Sequence, residues 1–335
     1  MRNPKVTIIM PVYNGEKYLQ EAIDSILQQT FKDFVFLIIN DGSTDGTDKI
    51  LQSYNDKRIK IMNNEKNIGL TKSLNKGLKL ARGEYIARQD ADDISFPERL
   101  EKEVLFLDQN KNIALVGTYY YIINEKGRML NTIKLLTKSE EIKIGLLKGN
   151  QFGHGSVMFR AECIKEVGYY REELGPAEDY DLWLRISDRY NMENIPEPLY
   201  KWRINIESVS IKKKVLIGKY TLLAVELAKE RRKLGKDKLQ ILKKEEINDF
   251  LDSYLNSKSG YQSKKEIAQN YCFWGVILLN GKDYKGALQL LSKSLFICPL
   301  CISNWIFFLK GLIVLLLPRK IINILKSLRK SYFSI

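Results

Sequence analysis

Short apolar runs alternate with amphipathic helical stripes between residues 5 and 87, and few architectures accommodate that pattern. Lys5 to Met10 is an apolar, β-branched run closed by Pro11. Phe34 to Ile39, Ile59 to Met62 and Tyr85 to Ala87 are further short strands. Between them Glu16 to Gln29 carries Leu19, Ile23, Ile26 and Leu27 on one helical face, and Asp45 to Tyr54 and Leu70 to Ala81 also read as helices. Strands this apolar are buried on both faces. The pattern predicts an α/β fold, a parallel sheet wound with helices.

Such sheets bind ligands at the carboxyl ends of their strands. Three polar clusters fall there: Pro11-Val12-Tyr13-Asn14-Gly15, Asn40-Asp41-Gly42-Ser43-Thr44-Asp45-Gly46-Thr47, and Gln89-Asp90-Ala91-Asp92-Asp93. The last holds three carboxylates in four residues, an arrangement that self-repulsion disfavours unless a cation neutralises it. Hard oxygen ligands suit Mg2+ or Mn2+ bridging to substrate phosphates, where the ion stabilises charge on a departing diphosphate. A solvated acidic loop leading into a helix, with Ser95-Phe96-Pro97-Glu98 as capping box, fits the same residues. Asp41-Gly42-Ser43 is likewise what a turn or N-cap requires.

His154 is the only histidine, which excludes multi-histidine metal sites and leaves acid–base work to carboxylates. Asp179 opens a helix and shares a face with Leu182, Trp183 and Ile186. An acid on a buried face can serve as general base, or it can simply exploit the helix N-terminus. Asp181 and Arg185 form an i,i+4 pair. His154-Gly155-Ser156 reads as a polar turn, with acceptor contact as the alternative.

Past residue 113 the pattern becomes mixed. Ile113 to Ile123 and Met129 to Leu135 form a strand pair around Glu125-Lys126-Gly127, Ser156 to Phe159 is a strand, and Glu178 to Tyr190 a helix. Beyond Ile206 lysine-studded helices take over, and the domain boundary is drawn there. The net charge of +14 belongs wholly to that second region, which holds 24 Lys and Arg against 10 Asp and Glu. Basic surfaces attract nucleic acid or anionic lipid. No nucleic-acid motif with interleaved aromatics is present, so nucleic acid is not expected as a partner. Four cysteines make no disulfide framework, and Cys298-Pro-Leu-Cys301 lacks a second pair for zinc, which leaves core packing. Trp305 to Leu317 is too short for the roughly 20 residues of a bilayer span. With Arg319, Lys320, Lys326, Arg329 and Lys330 after it, it reads as an interfacial anchor or a core helix, with a spanning segment extended back to Leu295 as the remaining alternative. No signal-peptide pattern opens the sequence. The expected location is cytoplasmic, with peripheral attachment to the inner face of the membrane as an option.

Over residues 4 to 205 the chain resembles the inverting family-2 glycosyltransferases of bacterial surface-polysaccharide synthesis. The resemblance rests on Pro11-Val12-Tyr13-Asn14, Asn40 to Asp45, Asn67-Ile68-Gly69, Asn75, Gly77, Ala81 to Ile86, Asp90-Ala91-Asp92-Asp93 and Glu178 to Trp183, in order and spacing. It implies a GT-A catalytic domain, a Rossmann-like mixed sheet over 1–205, followed by a basic helical region over 206–335. Pro11, Tyr13, Asn14 and Asp41 would contact the nucleotide of a UDP-sugar donor. Asp92 would ligate Mg2+ or Mn2+, Asp90 and Asp93 would support nucleotide and metal, and Asp179 would be the catalytic base. Leu199 to Asn205 stands at the family's closing segment, with Asn205 in place of a histidine. Tyr271 to Phe296 resembles one tetratricopeptide-like hairpin. The implied reaction passes a hexosyl group, with inversion, to a hydroxyl of a saccharide or lipid-linked saccharide. From the residues alone, a metal-dependent nucleotidyltransferase or phosphohydrolase, or a non-catalytic scaffold, stays open.

Overall fold

The computed structural model describes residues 3–204, 214–257, 264–300 and 302–316. The chain divides into two compact units, one of Met1–Ile123, Thr132–Arg203 and Leu216–Asn256, the other of Asn124–Asn131, Ile204–Val215 and Ser257–Ile335. Nine strands form one sheet: β1 (Val6–Val12), β2 (Phe34–Asn40), β3 (Ile59–Asn63), β4 (Tyr85–Arg88), β5 (Ile94–Ser95), β6 (Ile113–Ile123), β7 (Met129–Ile133), β8 (Met158–Arg160) and β9 (Asn191–Arg203). Their order is β3-β2-β1-β4-β8-β6-β9-β5, with β7 on β6. The sheet is parallel from β3 to β4, as the alternation predicts, but β8 runs antiparallel to both β4 and β6. It is therefore mixed.

Period-two alternation divides the core. Val6, Ile8, Met10, Phe34, Phe36, Ile38, Tyr85 and Ala87 face one side, where α1 (Leu19–Leu27), α2 (Thr47–Gln52) and α4 (Arg99–Gln109) pack. Ile9, Leu37, Ile39 and Ile86 face the other, against α3 (Leu70–Leu80), α5 (Ser139–Gly145), α6 (Ala161–Val167) and α7 (Glu178–Ser187). Leu223, Leu227 and Leu251, from the helices Lys214–Leu234 and Lys244–Ser257, complete this second core.

Two strands escape the sequence pattern. In β9, Pro196 and Pro198 interrupt any strand signal, and the register against β6 shifts around Thr118 to Tyr120 to absorb them. Two-residue β5 is too short to carry a period; it pairs Ile94 with Lys201 and Ser95 with Tyr200. That pairing overturns the capping box. Ser95 lies in β5 with its hydroxyl donating to Gln89 Oε1 at 2.7 Å, and α4 begins after Glu98 without a side-chain cap.

Glu103, inside α4, is fully buried 4.0 Å from Arg99, and neither of its carboxylate oxygens has a hydrogen-bond partner. Burial outweighs the Arg99 attraction and pushes its pKa from 4.5 up to about 8. A raised folded-state value stabilises below the unfolded value, and that contribution is lost as pH climbs toward 8. Glu103→Gln should therefore gain thermal stability relative to the parent as pH rises from about 5 to about 9. A difference in unfolding midpoint that stays constant over that range would refute the burial argument.

In the second unit, helices Lys264–Asn280 and Tyr284–Ile297 form a hairpin. Asp283 Oδ1 accepts the Gly286 amide at 3.1 Å, capping the second helix, and Oδ2 accepts Asn124 Nδ2 at 2.6 Å. Gly275 admits Leu291, whose Cγ would lie 2.7 Å from any added Cβ. Cys298 is disulfide-bonded, not the packed thiol expected, while Cys163 and Cys272 are buried and free.

Candidate active site

The site begins where β1 loses a neighbour. β4 pairs with β1 only through Ile9 and Arg88, while β2 follows β1 to Val12. Beyond Ile9 the ladder between β1 and β4 ends, and the carboxyl ends of such strands are where these sheets bind ligands. Pro11 sits in this stretch, where its missing N–H interrupts no ladder with β4.

The loops after β1 and β2 are tied together. The Asn14 amide donates to Ser43 Oγ at 3.0 Å, and Asn14 Oδ1 accepts the Thr44 amide at 2.8 Å. Thr47 Oγ1 accepts the Gly15 amide at 2.9 Å, and Glu16 Oε2 accepts that of Gly46 at 2.6 Å. Asn14 has φ +52°, a left-handed conformation that asparagine tolerates better than most residues. It turns Tyr13 outward, 48% exposed. Asp41 is buried and organises the next loop: Oδ1 accepts Asn64 Nδ2 at 2.7 Å and the Ile68 amide at 3.0 Å, and Oδ2 accepts the Gly69 amide at 2.9 Å.

The acidic loop is held from behind. Arg88, wholly buried, pairs with Asp90 at 2.6 Å and donates to the Ile9 carbonyl, also at 2.6 Å. Tyr200 Oη accepts the Asp90 amide at 3.1 Å. Arg203 donates its amide to Asp93 Oδ1 at 2.7 Å and its Nε to the Asp92 carbonyl at 2.8 Å. Gly155 permits this approach, because a Cβ there would lie 2.0 Å from Tyr200 Oη and 2.8 Å from Asp90 Oδ2. The Asp92 carboxylate accepts its own backbone amide and feels the charge of Arg203. Burial, and then the charge of Asp90, push it up to about 6. Asp93 is raised well above the ordinary range by burial and by both neighbours.

Helix α7 contributes the remaining acids. Every residue from Glu178 to Ser187 is buried except Asp179, which is half-buried. The helix is enclosed along its length, and Asp179 in its first turn is its least buried residue. Asp179 Oδ2 accepts Asn150 Nδ2 at 3.0 Å and Oδ1 accepts the Tyr180 amide at 2.7 Å. Burial raises both Asp179, to about 6, and Glu178, higher still; the charge of Asp90 adds to both. Asp179, Glu178 and Asp90 therefore share one electrostatic environment. Tyr170 feels the same three acids and Arg88. Its hydroxyl lies 3.0 Å from His154 Nε2, which accepts Arg88 Nε at 3.2 Å. Burial and Arg88 keep His154 neutral. His154–Ser156 is a polar 3-10 turn. Asp181, fully buried, pairs with Arg185 at 2.8 Å as expected, and with Arg171 at 3.4 Å.

An uncharacterised glycosyltransferase of Methanocaldococcus jannaschii is 40% identical over 231 residues, spanning 66% of this chain and 79% of that protein. The chain belongs to glycosyl transferase family 2. The family's model matches residues 7–168. The O-antigen biosynthesis glycosyltransferase WbnJ of Escherichia coli is 37% identical over 210 residues, covering 61% of this chain and 81% of WbnJ. Among solved structures, TarS 1-349 of S. aureus in complex with UDP superposes with a TM-score of 0.56 at 20% identity, over 92% of this chain and 88% of that one. The mannosyltransferase PcManGT from Pyrobaculum calidifontis, in complex with GDP-Man and Mn2+, gives 0.53 at 17% identity, over 93% and 86%. These two likenesses establish the GT-A fold.

In this family-2 glycosyltransferase Asp90 of the acidic loop acts electrostatically on Glu178 and Asp179, whereas Asp41 is engaged with the loop at 64–69. Asn205 lies outside the described residues. Among the described residues no group of three or more His, Cys, Asp or Glu is arranged to hold a metal ion. The donor set still fits one: Asp92 is a hard oxygen ligand under repulsion from Asp90, and substrate phosphates complete such shells for Mg2+ and Mn2+. Arg88 and Asn150 were not singled out from sequence. Tyr200, Arg203, Glu178 and Gly155 fell inside segments that the sequence marked, but their contacts with the acids were not legible there.

Proposed function

We propose that the chain transfers a hexosyl group from a UDP-sugar to a hydroxyl of a saccharide or lipid-linked saccharide, with inversion, in surface-polysaccharide assembly. The observation that carries this reading is Asp179, half-buried where the rest of α7 is fully buried, in the field of Asp90 on the acidic loop. Held by Asn150 and its own helix N-terminus, Asp179 accepts the proton of the acceptor hydroxyl as that oxygen attacks the anomeric carbon. Pro11, Tyr13, Asn14 and Asp41 form the nucleotide side, with Tyr13 free to cover a base. Asp92 holds Mg2+ or Mn2+, Asp90 and Asp93 support it, and the ion when bound neutralises charge on the departing nucleoside diphosphate. The UDP bound to TarS, the GDP-Man and Mn2+ bound to PcManGT, and the polysaccharide role in WbnJ's name all support the reading.

The test is a screen of nucleotide sugars for Mg2+- or Mn2+-dependent turnover, with product analysis. Nucleoside diphosphate and an inverted glycoside are expected. Nucleoside monophosphate or free phosphate as sole product would favour phosphoryl chemistry instead.

No helix among the described residues is long and apolar enough to cross a membrane. The helix Ile302–Leu316 nonetheless presents Ile302, Trp305, Ile306, Leu309 and Ile313 to solvent, and five basic residues follow in sequence from Arg319 to Lys330. Its 15 residues extend about 22 Å at 1.5 Å per residue, short of the roughly 30 Å hydrocarbon core. This suits peripheral attachment at an anionic cytoplasmic surface. Ile306→Glu with Leu309→Glu should abolish flotation with phosphatidylglycerol vesicles while leaving turnover of soluble substrates unchanged. Undiminished flotation would remove the anchor.

A further inference from the structure

We propose that the groove lined by Lys134, Leu135, Leu136, Ile144, Gly145 and Lys148 receives the lipid-proximal end of a lipid phosphate-linked acceptor. This inference rests on the transferase reading above and deepens it by assigning the lipid end of the acceptor to one groove. The groove, bordered also by Glu141 and Gln151, measures about 600 Å3, within the usual range for small-molecule sites. Its apolar members are open: Ile144 is 63% exposed and Leu136 37%. A side chain at Gly145 would come within 2.5 Å of Leu136 Cδ1 and 3.2 Å of Gln151 Cδ, so bare backbone forms that part of the lining.

Three observations select this occupant. The first is chemistry. Apolar side chains beside two exposed lysines fit a ligand with a hydrocarbon chain and an anionic head, and Lys is a regular phosphate binder. Glu141 offsets one of the two positive charges, which argues against a site built for an anion alone.

Second, the groove connects with the base. Gln151 donates Nε2 to the Gly149 carbonyl at 3.0 Å, and Asn194 Nδ2 bridges the Leu136 and Gln151 carbonyls at 2.7 and 3.0 Å. The loop so fixed carries Asn150, whose side chain binds Asp179. One loop therefore borders the groove and touches the proposed proton acceptor. Third, Tyr180, next to Asp179, donates its hydroxyl to the Leu146 carbonyl, anchoring the other end of this loop.

The test is calorimetric titration of the full chain with farnesyl diphosphate, with farnesol and inorganic diphosphate in parallel. Farnesyl diphosphate should bind at least about tenfold more tightly than either fragment. Ile144→Asp and Lys148→Glu, both at exposed positions, should each weaken it by about tenfold or more. Equal affinity for inorganic diphosphate, or unchanged affinity in both variants, overturns the assignment. Donor hydrolysis is measured on the same proteins: if it persists while the lipid result fails, only the groove falls. If no nucleotide sugar is turned over by any form, the transferase reading falls with it.

Discussion

Asp179→Asn is expected to lower glycosyl transfer by about a thousandfold, the range a positioned general base supplies, while donor affinity stays within about twofold. Asparagine keeps the shape and an acceptor oxygen for Asn150, but it cannot take a proton. The pH profile separates this role from a structural one. Burial raises Asp179 to about 6, and only the ionised form works as a base. Wild-type turnover should therefore rise with pH through that region and level off above it. The residual activity of the variant should show no such rise. An Asp179→Asn protein with full activity, or with the parental pH dependence, would eliminate the residue as base.

The second large effect is expected at Asp92. Asp92→Ala should weaken donor binding in Mg2+ or Mn2+ by about a hundredfold, as loss of a charge-stabilising group does, and should change nothing in chelator. The same substitution should raise the unfolding temperature of the metal-free protein. Burial and Asp90 push the Asp92 carboxylate up to about 6, so its ionisation destabilises the folded chain without a cation. A raised folded-state value means that stability is lost as pH climbs through it; the variant's advantage should grow across that interval and then hold. Lost binding with gained stability marks a residue retained for its ligand. Unchanged affinity in calorimetry would dismiss Asp92 as the ligand.

Much of the scaffold was legible in the residues. Strands β1 to β4 and the helices between them announce themselves by local periodicity, and β6 has the bounds expected. Strand β9 was hidden because Pro196 and Pro198 argue against a strand unless its partner can shift register, as β6 does. Ser95 satisfied a capping pattern, yet a distant strand claimed its backbone. At the site, the clusters at Asn14, Asp41 and Asp90 were visible as polar residues at strand ends. Their partners were not: Tyr200 meets the Asp90 amide across 110 positions of sequence, and Asn150 reaches Asp179 across 29.

By itself the sequence determined which stretches are strands and helices, which ends are polar, and that acid–base chemistry falls to carboxylates. Those properties follow from residue type and spacing within a few neighbours, where backbone geometry repeats. Only the tertiary structure decided which acids are held, buried or open. Asp41 is engaged with the loop at 64–69, Asp90 is clamped by Arg88, and Asp92 and Asp179 are raised to about 6 by burial. Hydrogen-bond partners and desolvation come from residues far apart in the chain, and the sheet order alone brings them together.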